Sequence, residues 1–290
     1  MINQPKTNPL MSYMRQPKIY IKLPSDGLFW EESSIDIPEN KEFPVYSMTA
    51  KDELILKTPD ALMNGQAVVN VVQSCMPNIT NAWDCPGIDL DLILVAIRIA
   101  TYGEKMTVSH QVPNIQDTVD HEINLVVIMD QLVSSNKWNE IVVVGPDITC
   151  FVRPLTYKHM TEVNIKTFES QKTIQAIMSS EISDQERLDI FNRSMDQLSA
   201  LAVEMIAESV FAIKTPSGLV QDQDFIREFI YNADAALIQQ IQDHLNKNKE
   251  TIGIKPIKFS ANEEQILAGA PESYEIPINM DNSNFFVRGS

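Results

Sequence analysis

Residues 43–79 read FPVYSMTAKDELILKTPDALMNGQAVVNVVQSCMPNI, and the architecture of the N-terminal half turns on them. It is crowded with helix boundaries and nearly empty of catalytic chemistry. Thr58-Pro59 predicts a helix start, with a hydroxyl at the N-cap and proline at the first helical position, where a missing N–H costs nothing. Asn64-Gly65 supplies residues that tolerate a left-handed C-cap. Met76-Pro77-Asn78 stops the next helix, because the residue before a proline is pushed out of the α region. Thr49 or Asp52 caps an earlier one. Short buried helices set this closely are built to present a shape, which points to interaction rather than catalysis.

Working outward, LDLILVAIRIATYG predicts a third helix that starts with Asp89 as its cap and ends at Gly103. It is apolar nearly all round and therefore buried on most sides. Arg98 inside it must snorkel or find a carboxylate. Upstream, Ile19 and Ile21 alternate with Lys18, Tyr20 and Lys22 as in a strand. Pro24-Ser25-Asp26-Gly27 is turn chemistry, Phe29 and Trp30 follow it, and SIDIPENKEFPVYSM reads as a second extended segment.

Downstream the periodicity switches to two. KMTVSHQV and TVDHEINLVV flank Pro113–Asp117, and NEIVVV and ITCFVRPL flank Gly145-Pro146-Asp147, predicting two hairpins in one small sheet. Ile128 to Lys137 could continue the strand but reads better as a short helix. From Thr156 or Thr161 a helix runs to about Ser180. Ser183 and Glu186 form a capping box for a long amphipathic helix reaching about Ile213. Asp222 and Asp224 begin another, with Phe225, Phe229, Ala233, Leu237, Ile241 and Leu245 on one face.

The predicted fold class is α+β: mostly helical, with a small antiparallel β-hairpin sheet between two helical regions and extended terminal arms. The expected segments are an N-terminal arm (1–17), an extended segment and compact helical core (18–104), a β-hairpin region (105–155), a helical region (156–253) and an extended acidic tail (254–290). Leu10, Met11, Tyr13 and Met14 lie in the arm, poised to order on a partner.

The chain has 290 residues and a net charge of −16. That balance argues against nucleic acid, whose binding is dominated by lysine and arginine on phosphates, and against an anionic membrane surface. No run approaches the ~20 apolar residues of a membrane span. MINQPKTNPLMSYMRQPK lacks the apolar core of a secretory signal. The three cysteines, Cys75, Cys85 and Cys150, fit a reducing cytosol as buried small hydrophobes.

No residue set reads as catalytic, cofactor-binding or metal-binding. His110 and His121 lie on the two arms of the first hairpin, but two histidines make a poor zinc site. His159 and His244 have no nucleophile motif nearby. Asp89 and Asp91 resemble the start of a calcium loop, but Leu90, Leu92 and Ile93 destroy its ligand spacing. Glu31, Glu32, Asp36 and Glu39 lack an apolar setting and read as a solvated edge. The aromatics Phe29, Trp30, Phe285 and Phe286, in polar extended segments, are the candidate contact anchors, with folding back onto the core as the alternative.

Three segments together, RQPKIYIKLPSDGLFW, the 43–79 stretch and DLDLILVAIRIATYGE, resemble the baseplate hub assembly proteins of T-even-type contractile-tailed bacteriophages, and the closing DNSNFF fits that group. The resemblance covers roughly residues 15–128 and the tail. It implies a non-enzymatic tail protein, a baseplate hub component or assembly factor, located in the virion baseplate or in the infected cytoplasm during assembly. It also implies partners among hub, tail-tube or tape-measure proteins. Relatives often carry a C-P-x-C knuckle after the ATYGE segment. Here Val112-Pro113-Asn114-Ile115 replaces both sulfurs by aliphatics, so no metal is carried over. A tail-associated hydrolase and a degenerate zinc ribbon that binds a peptide are the alternatives.

Overall fold

A computed structural model describes residues 10, 13–58, 64–135, 137–178 and 183–278. The helix predicted from Thr58-Pro59 falls outside these residues. The described chain is α+β, with small antiparallel sheets among helices.

The largest core gathers the N-terminal half. β1 (Pro17–Ile21) pairs antiparallel with β2 (Phe43–Tyr46), Ile21 opposite Phe43. α1 (Ala50–Leu56) opens with a capping box between Thr49 and Asp52. α2 (Gln66–Cys75) ends just before Met76-Pro77 and has Gly65 as its N-cap; Gly65 is left-handed at φ 78°, but it stands at the start of this helix, and the helix it is expected to close lies outside the described residues. α3 (Gly87–Tyr102) is buried on most sides, from Leu90 through Ile99, apart from Asp91. Leu92, Ile93 and Ile97 are fully enclosed, each contributing about 1.5–3 kcal/mol. Arg98 is enclosed with them, its guanidinium 5.4 Å from the centre of the Tyr102 ring.

The two predicted hairpins form, but not in one sheet. β3 (Lys105–Gln111) pairs only with β4 (Thr118–Asn124). The apolar run after β4 then turns helical as α4 (Leu125–Val133), because Leu125, Ile128 and Leu132 recur at helical spacing and face the first core. β5 (Ile141–Val144) and β6 (Ile148–Val152) belong to a four-stranded antiparallel sheet ordered β5-β6-β7-β8, with β7 (Val210–Thr215) and β8 (Gly218–Val220).

β7 corrects the expectation of a helix reaching Ile213. α5 (Tyr157–Met178) and α6 (Asp184–Ser209) form an antiparallel pair, and α6 begins with the predicted Ser183–Glu186 box. It stops at Ser209 because Val-Phe-Ala-Ile can pair with β6, Cys150 opposite Ile213. The next expected helix is also divided. α7 (Gln223–Asn232) is capped by Asp222, and Asp234 caps a separate α8 (Ala235–Ile252). Phe225 consequently points outward at 64% exposure, while Ile226, Ile230, Ile241 and Leu245 fill the second core.

The expected extended tail folds over residues 254–278. β9 (Ile257–Ser260), α9 (Glu263–Leu267) and β10 (Ser273–Ile276) make a hairpin-like unit that packs on β3 and β4. Its apolar residues are sparse, and they acquire a core only from this distant hairpin. Among the described residues no helix is long and apolar enough to cross a membrane.

Candidate functional site

The Pro24–Trp30 loop is held by a carboxylate that the sequence suggested only as a helix cap. α3 starts at Gly87, so Asp89 lies inside its first turn rather than at its N-cap. Asp89 is fully enclosed. Its Oδ1 accepts from the Ser25 N–H at 2.9 Å, and its Oδ2 accepts from the Ser25 hydroxyl and from the Trp30 indole N–H, the latter at 2.7 Å. Burial pushes its carboxyl up to about 6 against the pull of these donors. An acid inside an otherwise apolar helix was the available sequence signal, since a buried charge needs partners.

This clamp places the predicted aromatics differently. Trp30 is 9% exposed and belongs to the first core, so its ring is not presented to solvent. Its indole N–H and Asp89 satisfy each other, which removes the obstacle to burying both. Phe29 is only half-buried and has φ +69°, and Asp26 and Gly27 before it are also in positive φ. A Cβ on Gly27 would lie 2.5 Å from Ile37 Cδ1, so the loop runs tight against Ile37. Leu28 and Ile37 are 57% and 42% exposed. The outcome is a strained loop, fixed from below, with an apolar tip. Phe285 and Phe286 lie outside the described residues.

A second carboxylate ties down the N-terminal arm. Asp52 accepts from the Thr49 N–H at 2.7 Å and the Ser74 hydroxyl at 2.9 Å, and lies 3.7 Å from Arg15. Arg15 also donates to the carbonyls of Ser47 and Ser74 and stands over the Tyr46 ring. Residues just before this anchor keep apolar side chains in solvent: Leu10 is 62%, Tyr13 85% and Met14 53% exposed.

His110 and His121 share one face of the β3–β4 hairpin, offset along the strands, because His121 pairs with Val108 and His110 with Val119. That face is covered by the tail unit. The His121 ring lies 4.0 Å from the Phe259 ring, and its Nε2 is 3.0 Å from the Tyr274 hydroxyl. Burial, then the neighbouring His110, holds His121 below the usual histidine range. Val112, fully buried, packs with Ala270, Tyr274 and Ile276, and Ile115 lies against them. Apolar side chains fill the position of the knuckle. Among the described residues no three His, Cys, Asp or Glu side chains converge as a metal site.

The cysteines are buried thiols without disulfides. Burial pushes Cys75 up to about 12 and Cys150 to about 11, and raises Cys85 well above the usual thiol value. Glu31, Glu32, Asp36 and Glu39 are all exposed. His159 sits 3.1 Å from the Thr156 hydroxyl, and His244 bonds the Asn139 carbonyl at 2.8 Å.

A sequence profile of the family described as T4 bacteriophage base plate protein matches residues 31–266. No curated protein and no solved structure gives a significant match.

Proposed function

We propose, from the premise that this chain belongs to the T4 bacteriophage base plate protein family and so to the tail baseplate of a virion, that it is a non-enzymatic hub component or assembly factor. It works through complementary surfaces, and its neighbours are other hub, tail-tube or tape-measure subunits. One observation carries this reading. The described acids with the most enclosed positions, Asp52 and Asp89, are used up as structural acceptors, Asp52 holding the N-terminal arm and Asp89 the loop whose apolar tip is Leu28 and Phe29. Strained backbone at an exposed apolar tip is a preorganised contact surface, because ordering it at assembly adds no further entropy cost.

The test is Phe29→Gly. Glycine accepts positive φ at no steric cost, so relief of about 1 kcal/mol of strain offsets the lost half-buried ring. The melting temperature is expected to stay within about 3 °C of wild type. Recovery of the chain in assembled baseplates is expected to drop severalfold. Undiminished incorporation, or a large loss of stability, would remove the loop tip from the function.

A further inference from the structure

A cavity of about 470 Å³ opens where the two main cores meet. Its position follows from the chain path. The segment after β6 is stitched to the start of α3 by Gly87 N–H to Leu155 carbonyl at 2.9 Å and Tyr157 N–H to Cys85 carbonyl at 2.8 Å. α5 then leaves one side and the end of α8 closes the other. The wall is mainly apolar, from Ile88, Leu94, Trp138, Leu155, Met160 and Ile252. Native interiors carry few voids larger than a water molecule, whose share of liquid volume is about 30 Å³.

One enclosed carboxylate interrupts this wall. Asp91, two residues beyond the loop clamp, lines the cavity and makes no hydrogen bond or ion pair among the described residues. It keeps some solvent contact through the mouth, yet the surrounding protein pushes its carboxyl up to about 6. At neutral pH it is therefore ionised at a cost, in an apolar setting, without a counter-charge. Lys249 lines the same cavity but lies outward on α8 and does not pair with Asp91. A bare metal ion is the wrong complement, since no cluster of ligating side chains surrounds the carboxylate among the described residues.

We propose that this cavity is a docking pocket for a partner polypeptide that inserts an aliphatic or aromatic side chain with a lysine or arginine beside it, the cation pairing with Asp91. The proposal rests on the reading of the chain as a contact protein, but uses a different surface from the Leu28–Phe29 tip. A cavity this size has room for a large side chain and the cation beside it, and a cation at its wall converts an uncompensated charge into a desolvated ion pair. Such a pair favours basic partners and rejects acidic ones.

The test uses the full chain with methyl-labelled methionines, because Met160 and Met205 both line the cavity. The probes are two short peptides, acetyl-Leu-Phe-Lys-amide and the same peptide with norleucine in place of lysine. The lysine peptide is expected to shift the Met160 and Met205 methyl resonances at pH 8 and to bind about tenfold tighter than its uncharged twin. That preference disappears at pH 5, where Asp91 takes up a proton, and in Asp91→Asn at both pH values. The other ionisable groups near Asp91 are Lys249, Tyr157, whose phenol burial pushes up to about 12, Cys85 just before α3, whose thiol burial also raises, and Asp89, whose carboxyl burial raises to about 6. The first three residue types do not change charge in the required direction over that range, and Asp89, which does, is retained in Asp91→Asn, so loss of the preference in that variant assigns it to Asp91. Asp91→Asn is expected to raise the melting temperature at pH 8 while losing the preference. Equal affinity for the two peptides, an unchanged preference in Asp91→Asn, or no methyl shift up to about 10 mM peptide would overturn the proposal. None of these results bears on incorporation of the Phe29 variant, so the two readings fail separately.

Discussion

Replacing Asp89 by asparagine tests the clamp beneath the loop, and the sign of its effect depends on pH. A protonated carboxyl can keep all three contacts: one oxygen accepts from the Ser25 N–H, the other accepts from the Trp30 indole and gives its own proton to the Ser25 hydroxyl, which then acts as acceptor. An amide cannot. Whichever way it is turned, its NH₂ faces either the Ser25 N–H or the indole N–H, and one buried donor is left unmet at a cost of about 1–3 kcal/mol. Asparagine is, however, spared the cost of burying a charge. A carboxyl raised from its usual value near 4 to about 6 is protonated in the folded chain and ionised in the unfolded chain over the interval between. Stability from this group is therefore full below about pH 4 and falls as pH rises through 6, by about 3 kcal/mol in all. The variant has no such slope at this position. Urea melts at about pH 4 and pH 7.5 are expected to show Asp89→Asn weaker by about 1–3 kcal/mol in acid, with the gap closed or reversed at the higher pH. Asp91 contributes the same slope to both proteins and cancels in the comparison. Parallel stability curves over the whole range would show that Asp89 carries no buried-charge cost, and the clamp as drawn would be wrong.

Thiol chemistry and the tail give two more outcomes. Cys75, Cys85 and Cys150, all buried with raised thiol values, are expected to react with a thiol reagent at pH 8 at least about 100-fold more slowly in the native chain than in urea; fast native labelling of any one would show that its burial is wrong. Val112→Asp puts a carboxylate among Ala270, Tyr274 and Ile276 and should detach the tail unit. Increased amide exchange confined to residues 257–276 is the expected signature, and protection unchanged there would refute the packing of tail on hairpin.

How much of this was legible depended on how local each signal was. The Ser183–Glu186 box and the cap at Thr49, one of the two residues offered for it, need only neighbouring residues, and both form. The stop at Met76-Pro77 and the left-handed Gly65 are equally local. β7 was missed because its partner β6 lies about sixty residues earlier, and Val-Phe-Ala-Ile continues the apolar stripe of α6 well enough to pass for helix. The face from Phe225 to Leu245 holds only in part: Phe229, Leu237, Ile241 and Leu245 meet the second core, but Asp234 caps a separate helix, and in the first of the two Ile226 and Ile230 are buried while Phe225 is exposed. The folded tail was invisible because its core is borrowed from β3 and β4, more than a hundred residues away. Of the candidate anchors, Phe29 is half-buried, whereas Trp30 is withdrawn by a partner on another element.

Asp89 and Asp91 show most clearly what sequence spacing leaves undetermined. Read along the chain, Asp-Leu-Asp is a capping pattern or the beginning of a calcium loop. Set on a helix, residues two apart diverge by about 200°, so the two carboxylates leave α3 on opposite flanks. One flank meets Ser25 and Trp30 and has its charge fully occupied by donors. The other meets the seam between the cores and, among the described residues, finds nothing to accept from. Both carboxyls are raised to about 6 by burial, so α3 gives up stability twice at neutral pH. For Asp89 the return is visible within the chain, as a fixed loop. For Asp91 it is not, and a stability cost with no internal return is the pattern left by a group that completes its interactions with something outside the chain.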